Sequence, residues 1–361
     1  MSGKRYLFFV SLTYSYSILR PLQDAIWQRG DEAAWFIEDG CENWLRNDEK
    51  QLHTIQQVMD YNPIAVFVPG NWVYHFFPGV KVAVFHGYPI QKRNKSIDDS
   101  FSIRGWYDVY CTQGESSTAE FLKLEKKYRY FKVYETGWCK VDSYFQVQAE
   151  KNISSEKPTI IYSSTFTKDI SSAPQLIYVI KKLAQQRLWN WIITLHPKIN
   201  DVELIEEYRN LARENTNVTF NDGPVDIQLL RKADVMLCDS SSIIVEFMLL
   251  DKPVVTFRNT NPGDYLLNVL NEEEVEGALE EALSRPEQLM EHIHNYTMHH
   301  EPHRDGKNSE RVLEAVDDFI TNYKGKLKPK PLNLWRKFKI RIKARYFRFS
   351  LFHPIVFPII F

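Results

Sequence analysis

Along most of the chain, apolar runs of four to eight residues alternate with longer stretches of helical period. That alternation marks repeated strand–helix units around a parallel sheet. The first half predicts strands over 6–12, 33–37, 64–68, 80–85, 109–112 and 132–135. A second series follows over 159–162, 191–195, 218–220, 235–238 and 254–257, after the hydrophilic stretch QAEKNISSEKP at 148–158. This stretch is the predicted linker. It sets an N-terminal domain over 1–150, a C-terminal domain over 151–323 and a tail over 324–361, with the two α/β halves facing each other across a cleft.

Ligands of open α/β sheets bind beyond the carboxyl ends of the strands, and several chemically capable residues occupy such ends. One predicted strand stops at FHGYP, where His86 is followed by Gly87 and Pro89. A histidine titrates near neutral pH and, held by such a turn, can take a proton from an attacking hydroxyl. A second strand stops at TLHPK, on His196. The plain alternative for both is a structural histidine bonded to a neighbouring carbonyl. The stretch ADVMLCDSSSIIVEFMLLDKP delivers Asp239, Ser241 and Ser242 to a helix start, where unpaired N–H groups favour an anion. An ordinary serine cap is the competing reading. Glu246 lies on the otherwise apolar helix that follows and needs a partner, for which a ribose hydroxyl qualifies.

Toward the end, HHEPHRDGKNSERV contains His299, His300 and His303 ahead of Asp305 and Gly306. Their spacing fits no standard zinc motif. The DGKNSERV part reads as a turn, a cap and a helix start, from which Ser309 and Arg311 can meet a diphosphate. Neither GxGxxG nor a Walker A pattern is present, which argues against a standard dinucleotide or P-loop site.

Composition fits a folded chain of two cores: 361 residues, 44% hydrophobic and 14% aromatic. The four cysteines lack the close pairs of zinc or dithiol chemistry and read as cytosolic thiols. The apolar run after MSGKRY is too short for a signal peptide and reads as a first buried strand. A net charge of −1 hides an asymmetry: eleven Lys/Arg and no Asp/Glu fall in 324–361, leaving 34 basic against 46 acidic residues in the body. The tail alternates aromatic and cationic residues in a way that fits helix and strand equally. Its last apolar segment, 351–361, is far short of a bilayer span. These features predict peripheral attachment of 332–361 to an anionic membrane surface on the cytoplasmic side. An arm packed on a partner subunit is the alternative, and nucleic acid is disfavoured by the acidic body.

Taken in order, these elements resemble the CDP-glycerol glycerophosphotransferase family, which includes teichoic acid primases and polymerases. The likeness runs from about residue 81 to 318. A His-Gly-Thr-Pro element matches at His86, Gly87 and Pro89, with Tyr88 replacing threonine. G-x-P-R-x-D matches at Gly137 and Asp142, with Cys139 and Lys140 in place of Pro and Arg. Looser matches fall at Tyr162, Thr165 and Phe166, and His-Pro at His196 and Pro197. Asp239, Ser241, Ser242, Glu246, Asp251, Lys252 and Pro253 match a further block in which Ser240 replaces tyrosine. DG-x-A-s-x-R matches at Asp305, Gly306, Ser309 and Arg311, with Asn308 replacing alanine.

The resemblance implies a glycosyltransferase-B-like fold of two Rossmann-like domains, the nucleotide held by the second and the acceptor by the first. The implied reaction transfers glycerol phosphate from CDP-glycerol to a hydroxyl of a cell-envelope glycan acceptor, lipid-linked in this reading, and releases CMP. His86 would be the base and His196 the group stabilising charge on the phosphate. Ser241 and Ser242 would cradle phosphate, Glu246 would hold the ribose, and Arg311 would neutralise the diphosphate in place of a metal; no cofactor is implied. Rivals on the same fold are a sugar transferase, a CDP-ribitol-type polyol phosphotransferase, a nucleotide-sugar epimerase, or an envelope-assembly binding protein without turnover.

Overall fold

The computed structural model describes residues 3–89, 101–146, 157–196, 198–223 and 225–346. The linker's 148–156 and the tail beyond 346, including Phe349, Pro354 and Pro358, lie outside the described residues, as does Pro197.

Six strands, β1 (Arg5–Val10), β2 (Glu32–Ile37), β3 (Ala65–Val68), β4 (Val80–Ala83), β5 (Val109–Thr112) and β6 (Lys132–Glu135), form one sheet in the order β2-β1-β3-β4-β5-β6. A second sheet holds β7 (Thr159–Ser164), β8 (Asn190–Leu195), β9 (Val218–Phe220), β10 (Val235–Cys238), β11 (Val254–Phe257) and β12 (Leu267–Val269), in the order β12-β11-β10-β7-β8-β9. Every pairing is parallel. In such sheets both faces are covered, so the strands read as unbroken apolar runs. Along β1, Tyr6, Phe8 and Val10 pack into one cluster with Trp35 and Phe67, while Leu7 and Phe9 pack into another with Val66 and Phe36. Each such side chain, fully buried, contributes about 1.5–3 kcal/mol.

All eleven predicted strands are present; among the described residues β12 is the one that the apolar pattern missed, because only one of its three residues is buried. The apolar run at 80–85 outlasts its strand. Phe85 takes φ +55, a left-handed conformation that ends the ladder and turns the chain out of the sheet at His86.

Helices α1 (Ser15–Gln28), α2 (Ile55–Tyr61), α3 (Glu115–Tyr128) and α4 (Asp142–Gln146) belong to the first half. The second half has α5 (Ala173–Gln186), α6 (Val202–Glu214), α7 (Ile227–Lys232), α8 (Ile243–Met248) and α9 (Val275–Ser284). The boundary expected at 323 does not follow the packing. Helix α10 (Glu287–His300) touches both α8 and α3, and α11 (Asn308–Asp318) lies on α1 and β5 of the first domain. Asp317 there pairs with Lys4 at 2.7 Å and with Arg29 at 3.3 Å, and Tyr134 Oη donates to Asp318 at 2.6 Å. A single apolar cluster consequently runs through both halves, from Trp138, Val141 and Tyr144 to Met236, Val245, Phe247 and Leu313.

The tail returns to the first domain as well. Lys330 pairs with Asp108 at 2.7 Å, and α12 (Leu334–Lys343) is helical, which settles the ambiguous period there. Its Arg336 lies 3.8 Å from the Trp106 ring centre, and Lys343 pairs with Glu38 at 2.6 Å.

The crossing between the halves is tight at Gly137, whose φ is +76. A Cβ there would fall 2.5 Å from Glu301 Oε1 and closer still to Asn308 Oδ1. Gly137→Ala is expected to lower the unfolding free energy by about 2–4 kcal/mol through left-handed strain and overpacking. A lower denaturant midpoint at unchanged slope is the check.

Candidate active site

The strand order reverses beside β1 in the first sheet and beside β7 in the second, which opens a crevice at the carboxyl ends there. His86 stands on the rim of the first crevice. Its Nδ1 lies 3.1 Å from Pro69 O, and its ring stacks on Tyr14 at 5.2 Å. A carbonyl only accepts, so Nδ1 carries the proton and the lone pair resides on Nε2. The turn that carries His86 is pinned residue by residue. Trp138 Nε1 donates to Phe85 O at 3.4 Å, Gln113 Nε2 to Gly87 O at 2.8 Å, and Tyr88 Oη to Glu301 Oε2 at 3.0 Å. A Cβ at Gly87 would meet nothing within 4 Å, so the glycine leaves room beside His86. Pro89 is half-buried at the turn's exit.

His196 stands at the end of β8, on the rim of the second crevice. Its Nδ1 accepts from Lys198 N at 3.1 Å, and its ring packs 4.5 Å from Phe166. Acceptance at Nδ1 puts the proton on Nε2. The two histidines therefore have opposite tautomers: His86 presents an acceptor nitrogen and His196 a donor.

Asp239 follows β10 and is fully buried. Its carboxylate accepts from Ser164 Oγ at 2.7 Å, from Thr165 N and Ser172 N at 3.0 Å, and from Ser172 Oγ at 3.1 Å. This corrects the expectation that it meets nucleotide: all four bonds go to the end of β7 and the loop that follows it, which Asp239 organises. Asn259 Nδ2 donates to Asp239 O at 2.8 Å and Thr260 N to Ser240 Oγ at 2.9 Å, tying the loop after β11 to the same place. Ser241 lines a recess with Asn259, Thr260, Tyr265 and Tyr296, and Ser242 sits at the start of the six-residue α8. These serines and His196 share the rim of the second sheet.

Glu246 has the partner its apolar helix requires, and the first domain supplies it. Lys140 Nζ and Tyr144 Oη each reach Glu246 Oε2 at 2.7 Å. Arg231 of the second domain in turn donates to Tyr144 O at 2.9 Å.

The expectation for Ser309 is corrected more sharply. Ser309 is buried, and its N–H and that of Asn308 both donate to the Asp142 carboxylate at 2.8 Å. Asp142 thus satisfies the first N–H groups of α11 inside the protein. Arg311 pairs with Asp305 at 2.5 Å, and Gly306 takes φ +69 with its carbonyl accepting from Gln146 Nε2 at 2.7 Å. The segments GWCKVD and DGKNSERV therefore dock on each other and hold the crossing.

The pivotal residue there escaped sequence reading. Glu301, with no exposed surface, accepts from Tyr88 Oη and Trp138 N at Oε2 and from Asn308 Nδ2 at Oε1. Its only signal in the sequence is a carboxylate between His300 and Pro302. Burial pushes it up to about 8, and burial likewise pushes Asp142 up to about 6. His300 is buried against Tyr296 O, its Nδ1 at 2.9 Å, and is pushed down to about 4. Among the described residues, no group of three or more His, Cys, Asp or Glu side chains is arranged to hold a metal ion.

A model of the family described as CDP-Glycerol:Poly(glycerophosphate) glycerophosphotransferase matches residues 66–318. The chain belongs to that family. It is 26% identical over 175 residues to the teichoic acid glycerol-phosphate primase of Bacillus subtilis, a region that is 46% of this chain and 44% of the primase. The chain thus spans less than half of that relative. In fold it is similar to the UDP-GlcNAc 2-epimerase of Neisseria meningitidis, with TM-score 0.56, 14% identity and coverage of 87% of this chain and 100% of that one. It is also similar to a variant of the wall teichoic acid polymerase TagF, with TM-score 0.60, 12% identity and coverage of 88% and 89%. At those identities the likeness speaks to the fold, the two-domain glycosyltransferase-B-like arrangement expected of this glycerophosphotransferase-family chain.

The raised carboxyls give a signed pH dependence. The native state keeps the Glu301 and Asp142 protons to higher pH than the unfolded chain does, so the contribution of these carboxyls to stability falls as pH rises from about 4 to about 8. That of His300 rises between about 4 and about 6.5. Urea midpoints are expected to be lower at about pH 8.5 than at about pH 6. Glu301→Gln, which cannot ionise, should flatten the upper part of that slope.

Proposed function

We propose that the protein transfers glycerol phosphate from CDP-glycerol to a hydroxyl of a lipid-linked envelope glycan, releasing CMP. The observation that carries the reading is the pair of opposite tautomers at the two crevice rims. His86 Nε2 takes the proton of the acceptor hydroxyl, which attacks the phosphorus attached to glycerol. His196 Nε2–H donates to an oxygen of the phosphoryl group as charge moves toward the departing CMP. Ser241 and Ser242 offer hydroxyls to the phosphates. Glu246 holds the ribose in this reading once its Lys140 and Tyr144 contacts exchange for ribose hydroxyls. Family membership supports the donor, as does the structure of a TagF variant with CDPG.

The test is CMP release from CDP-glycerol with membrane extract as acceptor. His86→Ala and His196→Ala are each expected to lower the rate about 100-fold or more. Turnover only with CDP-ribitol or a nucleotide sugar would keep the fold and discard the donor. Binding of CDP-glycerol without turnover would favour the binding-protein alternative.

A lipid-linked acceptor calls for attachment to a membrane, and α12 supports that part of the reading. Arg336, Arg341 and Lys343 fasten one side of it to Trp106, Phe76, Trp72 and Glu38. The other side exposes Trp335 by 68%, Phe338 by 47% and Ile342 by 49%. An amphipathic helix of this kind, flanked by cations, lies in the interface of an anionic bilayer. Among the described residues no helix is long and apolar enough to cross a membrane. The double variant Trp335→Ala, Phe338→Ala is expected to lose most binding to phosphatidylglycerol vesicles in a sedimentation assay. Equal binding by wild type and variant would reject α12 as the anchor, and a wild-type dimer lost in the variant would point to a partner subunit instead.

A further inference from the structure

We propose that Tyr88 and Glu301 form a positioning pair that sets the His86 ring, linking the catalytic turn to the point where the chain crosses between domains. The inference rests on the reading of His86 as the base.

Of the four ties that hold the turn, three stay within the first domain: Pro69 O, Gln113 and Trp138. The fourth leaves it, since Tyr88 lies two residues after His86 and Glu301 directly follows α10. Tyr88 is buried, with its ring edge-on to Trp138 at 5.2 Å and to His300 at 6.1 Å. Glu301 in turn is fixed by Trp138 N at 2.9 Å and Asn308 Nδ2 at 3.2 Å, and Asn308 begins α11. A displacement at the crossing therefore reaches the His86 turn by two routes, through the buried Tyr88 hydroxyl and through Trp138, whose Nε1 holds Phe85 O; Tyr88→Phe cuts the first alone. Moving a catalytic group by about 1 Å is enough to cost orders of magnitude in rate.

The carboxyl suits this place in a way that its amide cannot. Either protonation state leaves Oε1 accepting from Asn308 Nδ2 and Oε2 accepting from Trp138 N. In Glu301→Gln, whichever way the amide turns, its NH₂ faces one of those N–H donors. Tyr88→Phe is the milder change, since it keeps the ring contacts and deletes the hydroxyl alone.

The test uses the full chain with ¹³C-labelled histidine, the His86 and His196 ring signals being assigned from their Ala variants. Tyr88→Phe and Glu301→Gln are expected to shift the His86 signal and leave that of His196 in place. Each should lower kcat about tenfold with KM for CDP-glycerol within about twofold, and the double variant should lose no more than the worse single one. On a His86→Ala background Tyr88→Phe should have no further effect. An unmoved His86 signal in Tyr88→Phe, or an equal loss of rate with and without His86, overturns the proposal. Should Glu301→Gln fail to fold, Tyr88→Phe decides. If the wild type turns over no CDP-glycerol, the reaction assignment fails, while the ring signals still decide the tie.

Discussion

The structure depends on one buried junction, the Asp142 carboxylate at the start of α11. Each parallel sheet needs both faces covered, and part of the cover for the first is encoded after the second. The chain must therefore cross back, and it opens a helix in the interior, where water cannot reach the first N–H groups. Asp142 accepts from two of them, and Glu301, seven residues before Asn308, accepts from Tyr88, Trp138 and Asn308. Without these acceptors the buried donors would each cost about 1–3 kcal/mol.

The rest of the architecture follows from that closure. With α11 returned to α1 and β5, the apolar cluster becomes continuous between the halves, and the carboxyl ends of both sheets carry the candidate groups. Burial of two carboxyls opposes stability, as their raised proton affinities indicate, so the junction is maintained against an electrostatic cost. What it secures is geometry: the His86 turn is held at each of four consecutive residues, and the loops of the second rim are gathered by Asp239.

The family's sequence elements thus divide into two kinds. His86, His196, Ser241 and Ser242 stand at strand ends with chemistry to offer. Gly137, Asp142, Gly306 and Ser309 are architectural: Asp142 accepts from Ser309 N, Gly306 O accepts from Gln146, and Gly137 leaves room for Asn308 and Glu301. Two departures from the family pattern, Tyr88 and Asn308, meet at the same carboxyl, Glu301, so neither is a neutral exchange. A third, Lys140, pairs with Glu246 across the domains.

The sequence by itself determined the strands, the two-sheet division and the placing of both histidines at strand ends, because buried parallel strands declare themselves as local apolar runs. It left the tail's conformation open, since aromatic and cationic residues alternated at two periods, and packing on Trp106 and Glu38 decided for helix. Tertiary structure alone decided that Asp239 gathers a loop, that Glu246 faces Lys140, that Ser309 lies under Asp142 and that Glu301 matters at all. The reason is physical: a carboxylate's role is set by the donors that reach it, and here those donors come from 67 to 213 residues away, Asn308 and Glu301 excepted. No local pattern records such a meeting.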